Sequence, residues 1–292
     1  MGVLLRKNQG ISHFTGIAKL SIMALIFSLS LALVDTIWAV YLDSFLHSEV
    51  YVGLFSSFLV LLAFVSYFLF IPIIEKLDKA KIYSASILSF IFCYILFSLN
   101  TSFAIFAILT IAVTLIMTFR ITSFGILVRD VSKNKNLSRN EGLVFTFNNI
   151  AWVIGPIIAG FFAAQFGEKS IFAFSAGVLI IGFIFFKFSG IKDSKGKKRI
   201  DKHVIKNFVD FFKDKKRVLA YILGGGFPIW WTLIYLFMPL HIIHSGLSEL
   251  WIGYFLFAVA VPLIILEYPF SKWAGKRGFR RMFQIGYGSL VI

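Results

Sequence analysis

The chain has 292 residues, of which 59% are hydrophobic and 15% charged, and its formal net charge is +15. A soluble globular domain carries about 25% charged residues, so this composition excludes that class. A single cysteine, Cys93, excludes an intramolecular disulfide and a thiolate metal cluster.

Apolar runs fall near 20–41, 52–74, 82–99, 101–128, 143–166, 169–189, 217–242 and 251–271, and a ninth opens around 281. Runs of roughly 18 to 25 residues cross a bilayer core of about 30 Å as helices. Arg6 and Lys7 precede the first without a convincing small-residue cleavage site, so it reads as a span and not a signal peptide. Asp35 lies sixteen residues beyond Lys19, past the middle of that span. Pro72 predicts a kink in the second span, as Pro262 does in the eighth.

The fourth span contains Arg120, nine residues before Arg129 and so about 13 Å inside the helix. Charges at such depth are costly in lipid and face a bundle interior or a watery cavity. Asp35 and Arg120 are therefore candidates for a pathway in which Asp35 takes and gives up a proton while Arg120 modulates it. The alternative is a structural ion pair, or an Asp35 high enough to touch outside water.

In the fifth span Asn148, Asn149 and Trp152 are candidate pathway-lining groups, followed by Gly155, Pro156 and Gly160. Proline removes a helical donor and small residues permit close approach, so this stretch combines a bend with a packing face. Between the sixth and seventh spans, 190–202 reads as linker, and Val204, Phe208, Phe211 and Phe212 recur at near-helical spacing among charges. That pattern predicts an amphipathic helix, either at the membrane interface or packed under the bundle.

The seventh span holds Gly224-Gly225-Gly226-Phe227-Pro228-Ile229-Trp230-Trp231 and then Pro239, which predicts a broken or flexible element near Gly225 and Pro228. Trp230 and Trp231 would suit a wide apolar cavity. His241 and His244, three apart at the end of this span, have no obvious third ligand, so no metal and no cofactor are expected. Glu267 in the eighth span is a further pathway candidate, or a charge that reaches the headgroups from the helix end.

Of 29 Lys and Arg, 27 lie before the first span or between spans two and three, four and five, six and seven, and eight and nine. This alternation predicts a multi-pass cell-membrane protein with its N-terminus in the cytoplasm. The basic linker reads as attracted to anionic lipid headgroups, not nucleic acid.

Ser48-Glu49-Val50-Tyr51-Val52-Gly53 returns as Ser248-Glu249-Leu250-Trp251-Ile252-Gly253, each copy between two apolar stretches. The chain is therefore expected to hold two related halves: an N-terminal six-helix bundle over 1–190, a basic linker over 191–216 and a partial second bundle over 217–292. The predicted fold class is an all-α polytopic membrane protein of about nine transmembrane helices.

After each copy comes a short charged loop, Glu75-Lys76-Leu77-Asp78-Lys79-Ala80-Lys81 and Gly275-Lys276-Arg277-Gly278-Phe279-Arg280-Arg281. These resemble the loop of the major facilitator superfamily of membrane transporters, where an acid, a base, a variable position, glycine and further bases follow in order. Asp78 replaces the glycine of the first copy, and the second keeps glycine but lacks the acid. Arg120 is similar to the embedded arginine of proton-coupled members, with Gly125 one position late. Gly155-Pro156-Ile157-Ile158-Ala159-Gly160 resembles a signature associated with exporters, and Arg139-Asn140-Glu141-Gly142 resembles the usual entry to that helix.

The resemblance implies a secondary active transporter, and the lean is toward proton-coupled efflux of small lipophilic or cationic compounds by alternating access. Uptake of a sugar or other metabolite, or a non-transporting receptor or scaffold, are the alternatives. It implies that Glu75, Lys76 and Lys79 stabilise one conformation without binding substrate, and Asp78, Lys276, Gly278 and Arg280 join them as conformational candidates. Members generally have twelve helices in two bundles, so a missing C-terminal half or a second copy is an expected partner. Substrate, protons and the lipid bilayer complete the expected partners, and no clustered catalytic groups point to an enzyme.

Overall fold

The structure is a computed structural model that describes residues 8–132, 137–191 and 204–289. Within these ranges the side chains of 8–15, 138, 204–207, 227 and several positions after 262, Glu267 and Lys276 among them, lie outside the description. The helices are α1 (Asn8–Leu46), α2 (Glu49–Ile74), α3 (Lys79–Leu99), α4 (Phe103–Val131), α5 (Leu137–Phe166) and α6 (Glu168–Ser189). Then come α7 (Val204–Lys213), α8 (Lys215–Thr232), a π-helical turn (Leu233–Phe237), α9 (Met238–His244), α10 (Glu249–Arg277) and α11 (Phe279–Ser289).

Seven helical stretches among the described residues are long and apolar enough to cross a membrane, and Glu249–Pro262 is a shorter apolar one. The chain is an all-α polytopic membrane protein. Both copies of the repeated segment begin a helix, with Ser48 just before α2 and Ser248 just before α10. Helix α1 extends beyond the expected 20–41, and α5 starts at Leu137, before the expected 143, because Arg139-Asn140-Glu141 continue the helix past its apolar run.

In lipid, apolar side chains gain little from leaving the solvent, so helices associate through close packing and satisfied polar groups. Helix α1 provides most of that packing: 61% of its most apolar stretch is buried, against 17% for α2. It packs against α5 and α6, while α3 packs against α6 and α4, and α2 against α4. Tyr41, Phe97 and Phe172 form the centre, with ring centroids 4.6 Å apart for Tyr41–Phe172 and 5.1 Å for Phe97–Phe172. Such pairs contribute about 0.5–1.5 kcal/mol each beyond area burial. The Tyr41 hydroxyl donates to the Phe97 carbonyl at 3.0 Å, which removes the cost of an unpaired polar group there.

The irregularity of the seventh span lies later than its glycines. Gly224, Gly225 and Gly226 are all helical within α8, and the backbone widens only at Leu233–Phe237. Proline at 239 has no N–H for the Tyr235 carbonyl and its ring crowds that carbonyl, so the turn opens, with Met238 N–H bonding back to Leu233.

Helix α7 forms at the place the amphipathic pattern predicts. Its Phe208 ring lies 5.1 Å from Phe68 and 6.2 Å from Phe64 of α2, so one aromatic side chain of α7 is seated on the transmembrane bundle.

Candidate functional site

Helical spacing places Leu31, Val34, Asp35 and Trp38 on one face of α1, and that face borders a cavity of about 230 Å³. Opposite stand Thr110, Thr114 and Thr118 of α4. Tyr67 of α2 and Tyr94 of α3 complete its polar lining. Thr110 and Thr114 donate to carbonyls four residues back, at 2.8 and 2.9 Å, so their oxygens keep acceptor capacity toward the cavity.

The half-buried Asp35 carboxyl has no hydrogen bond or ion pair among the described residues. Tyr94 of α3 borders the same cavity, and α1 also packs against the π-helical turn that carries Tyr235. An acid held at this depth without a counterion is costly unless it binds a proton or a cation.

Arg120 is not paired with Asp35. Its guanidinium lies over the Phe27 ring, 4.2 Å from the centroid, and its Nε is buried without a hydrogen-bond partner among the described residues. Phe27 and Asp35 are eight residues apart on α1, about 12 Å along the axis, so the two charges occupy different levels of the bundle.

Tyr235 joins several of the sequence candidates. Its ring lies 5.5 Å from Trp152 and 5.1 Å from Trp231, and Trp231 is 5.1 Å from Trp230. The Asn148 side chain accepts from the Ser28 hydroxyl on the α1–α5 seam, and Asn149 is half-buried on the same helix. Gly155 lets that seam close, since a Cβ there would stand 2.6 Å from Ala32 Cβ. Tyr67, Tyr94 and Tyr235 were not singled out from the sequence, where 10 tyrosines among 36 phenylalanines offer little contrast. The four-residue step from Trp231 to Tyr235 is the one available signal.

The charged loop between α2 and α3 lies away from the cavity. Asp78 caps α3 by accepting from the Lys81 N–H at 3.0 Å, which gives this acid a structural use at the position where the resembling motif has glycine. Lys79 Nζ donates to the Glu75 carbonyl oxygen at 3.1 Å, and Lys76 is exposed. Gly278 adopts φ +80° between α10 and α11, a conformation that favours glycine, and Arg280 is exposed. Pro228 lies within α8, and nothing stands within 4 Å of a Cβ added at Gly225. The side chains of Glu267 and Lys276 lie outside the described residues.

Two contacts near the Leu46 end of α1 tie α9 and α10 to the earlier helices. His244 of α9 places Nε2 3.0 Å from Asp43 Oδ2 of α1 and Nδ1 3.0 Å from Glu49 Oε1 of α2. Helix α10 crosses α5 at Gly253 and Gly160, where both backbones are in contact.

No curated protein matches the chain. Its fold is similar to that of a mutant peptide transporter POT in complex with sulfate, with 13% identity, a TM-score of 0.61 and coverage of 91% of this chain and 69% of that one. A POT family transporter in complex with a thioalcohol conjugated peptide matches at 14% identity and TM-score 0.61, over 91% of this chain and 71% of that one. A bacterial homolog of the human lysosomal transporter Spinster, inward-facing and unoccupied, matches at 14% and 0.55, over 86% and 59%. The chain spans about half to seven-tenths of the length of these solved transporters, 49% in one peptide transporter POT structure with sulfate. The Major Facilitator Superfamily model matches residues 20–292. Its two charged loops and duplicated helix entries thus belong to that architecture: the chain is a member of the major facilitator superfamily.

Proposed function

We propose that the chain forms the substrate-binding part of a secondary active transporter that exports small lipophilic or cationic compounds in exchange for protons. The observation that carries this reading is the Asp35 carboxyl, which borders a cavity and has no hydrogen bond or ionic partner among the described residues. A protonated Asp35 is neutral and suits the apolar bundle; an arriving cation takes the place of the proton, which leaves to water. Competition of this kind at one carboxylate couples the two fluxes without any contact between them.

Trp38 and Phe97 give the cavity an aromatic wall suited to an apolar cation, and the cavity threonines supply oxygen acceptors. Alternating access requires the halves to part on one side and then on the other, and the glycine crossing at Gly160–Gly253 and the His244 contacts are where they would meet and part. In this reading the N-terminus and the basic linker face the cytoplasm and the His244 contacts face outward.

Binding of tetraphenylphosphonium or ethidium to the purified chain in nanodiscs tests the site. The reading requires saturable binding that weakens at least tenfold in Asp35→Asn. Equal binding by both proteins would refute it.

A further inference from the structure

We infer that the cavity takes a hydroxylated monoamine, an amino alcohol whose single ammonium sits at Asp35 and whose hydroxyl lies on the threonine column of α4. The inference rests on the reading of Asp35 as a cation site and adds what the rest of the lining asks of the ligand. Among the described residues Asp35 is the one charged side chain that borders the cavity. One positive charge is balanced there. A second would have no counterion, and an acid on the ligand would meet no basic group, so either would be costly within the bundle.

The hydrogen bonds of the threonines define the neutral part of the ligand. Thr110 donates its hydroxyl proton to the Phe106 carbonyl at 2.8 Å, and Thr114 donates to the Thr110 carbonyl at 2.9 Å. Ser66 of α2 gives its only proton to the Ala63 carbonyl at 2.7 Å, so in its 2.5 Å contact with Thr118 the threonine is the donor. All three threonine protons are therefore committed within the protein, and the oxygens face the cavity as acceptors. They follow at four-residue steps, about 6 Å apart along the helix axis.

Tyr67 and Tyr94 border the same cavity, and each phenolic hydroxyl both donates and accepts. A ligand hydroxyl matches this set, because it donates to a threonine oxygen and accepts from a tyrosine. A ligand carbonyl only accepts and finds no donor on the threonine column. A second ammonium only donates, and brings a charge that nothing there balances. The remaining wall, Leu59, Val113 and Met117 among it, is apolar and suits the carbon chain between the two polar ends. A hydrocarbon tail in place of the hydroxyl leaves the threonine oxygens without a donor from the ligand and so binds more weakly.

The experiment compares 6-amino-1-hexanol, hexylamine and 1,6-hexanediamine by calorimetry on the full chain in nanodiscs. In the wild type the amino alcohol binds about threefold to tenfold more tightly than hexylamine, the effect of one hydrogen bond, and more tightly than the diamine. The double variant Thr114→Val, Thr118→Val brings the ratio of amino alcohol to hexylamine affinity close to one. The double variant Thr114→Ser, Thr118→Ser, which keeps both oxygens, retains the wild-type ratio. Thermal unfolding of each variant confirms that it is folded, and the comparison of the three probes on the wild type decides the matter if one is not. If hexylamine binds in an Asp35-dependent way and the amino alcohol is no better, or the diamine is the tightest of the three, the amino alcohol site is refuted and the cation site stands. If none of the three binds, or binding ignores Asp35→Asn, both readings fail.

Discussion

Gly253 lies against Gly160 backbone to backbone: a Cβ at 253 would stand 2.6 Å from the Pro156 carbonyl oxygen and 3.3 Å from Gly160 Cα. The obstructing atoms belong to a helix backbone, which cannot rotate away as a side chain can. Gly253→Ala must therefore push α10 from α5, at about 1–3 kcal/mol. Gly125→Ala is the matched control, since nothing stands within 4 Å of a Cβ there and alanine favours helix by up to about 1 kcal/mol. Thermal unfolding in detergent should fall for the first and hold or rise for the second.

The His244 contact is expected to depend on pH. A neutral imidazole has one N–H and can donate to one carboxylate, so bonding to Asp43 and Glu49 together at 3.0 Å needs the imidazolium. Other charges nearby are His241 on α9, Glu168 and Lys169 at the start of α6, and Glu249 of α10. The bridge is complete at low pH and loses one of its bonds as the imidazolium deprotonates on raising pH. Spin labels on α2 and α9 should show a narrower distance distribution at pH 5.5 than at pH 8, and His244→Gln should abolish the difference.

Tyr235 offers a separation of its ring from its hydroxyl. Its ring holds Trp152 and Trp231, and the turn that carries it packs against α1. Tyr235→Phe keeps the rings and should leave the melting temperature unchanged. Tyr235→Ala, which takes the ring away from Trp152 and Trp231, should lower it.

Asp78 is predicted to act through its cap. Removing the acceptor of the Lys81 N–H in Asp78→Ala should cost about 0.5–2 kcal/mol, whereas Asp78→Gly should cost a few tenths. Denaturant unfolding of the two variants checks the order.

Seven of the expected spans and the amphipathic α7 were legible because each is a pattern of apolar spacing within one stretch of chain, and the two helix entries because a six-residue pattern recurs at an offset of two hundred. The relation between Asp35 and Arg120 was not, because depth in a helix says nothing about azimuth, and a cation–π contact with Phe27 has no signal among so many phenylalanines. The widened turn at Leu233–Phe237 was hidden for another reason. Three glycines marked the weakest helix nearby, yet the steric conflict at Pro239 decides where the ladder opens.

The most direct test is the proton count on binding. An unbuffered solution of the chain in nanodiscs is saturated with tetraphenylphosphonium at a series of pH values from 5 to 8, and the released acid is titrated. Exchange at Asp35 predicts release approaching one proton per bound cation at the acidic end and none in Asp35→Asn. Cation binding without release at any pH, or equal release by both proteins, would contradict it.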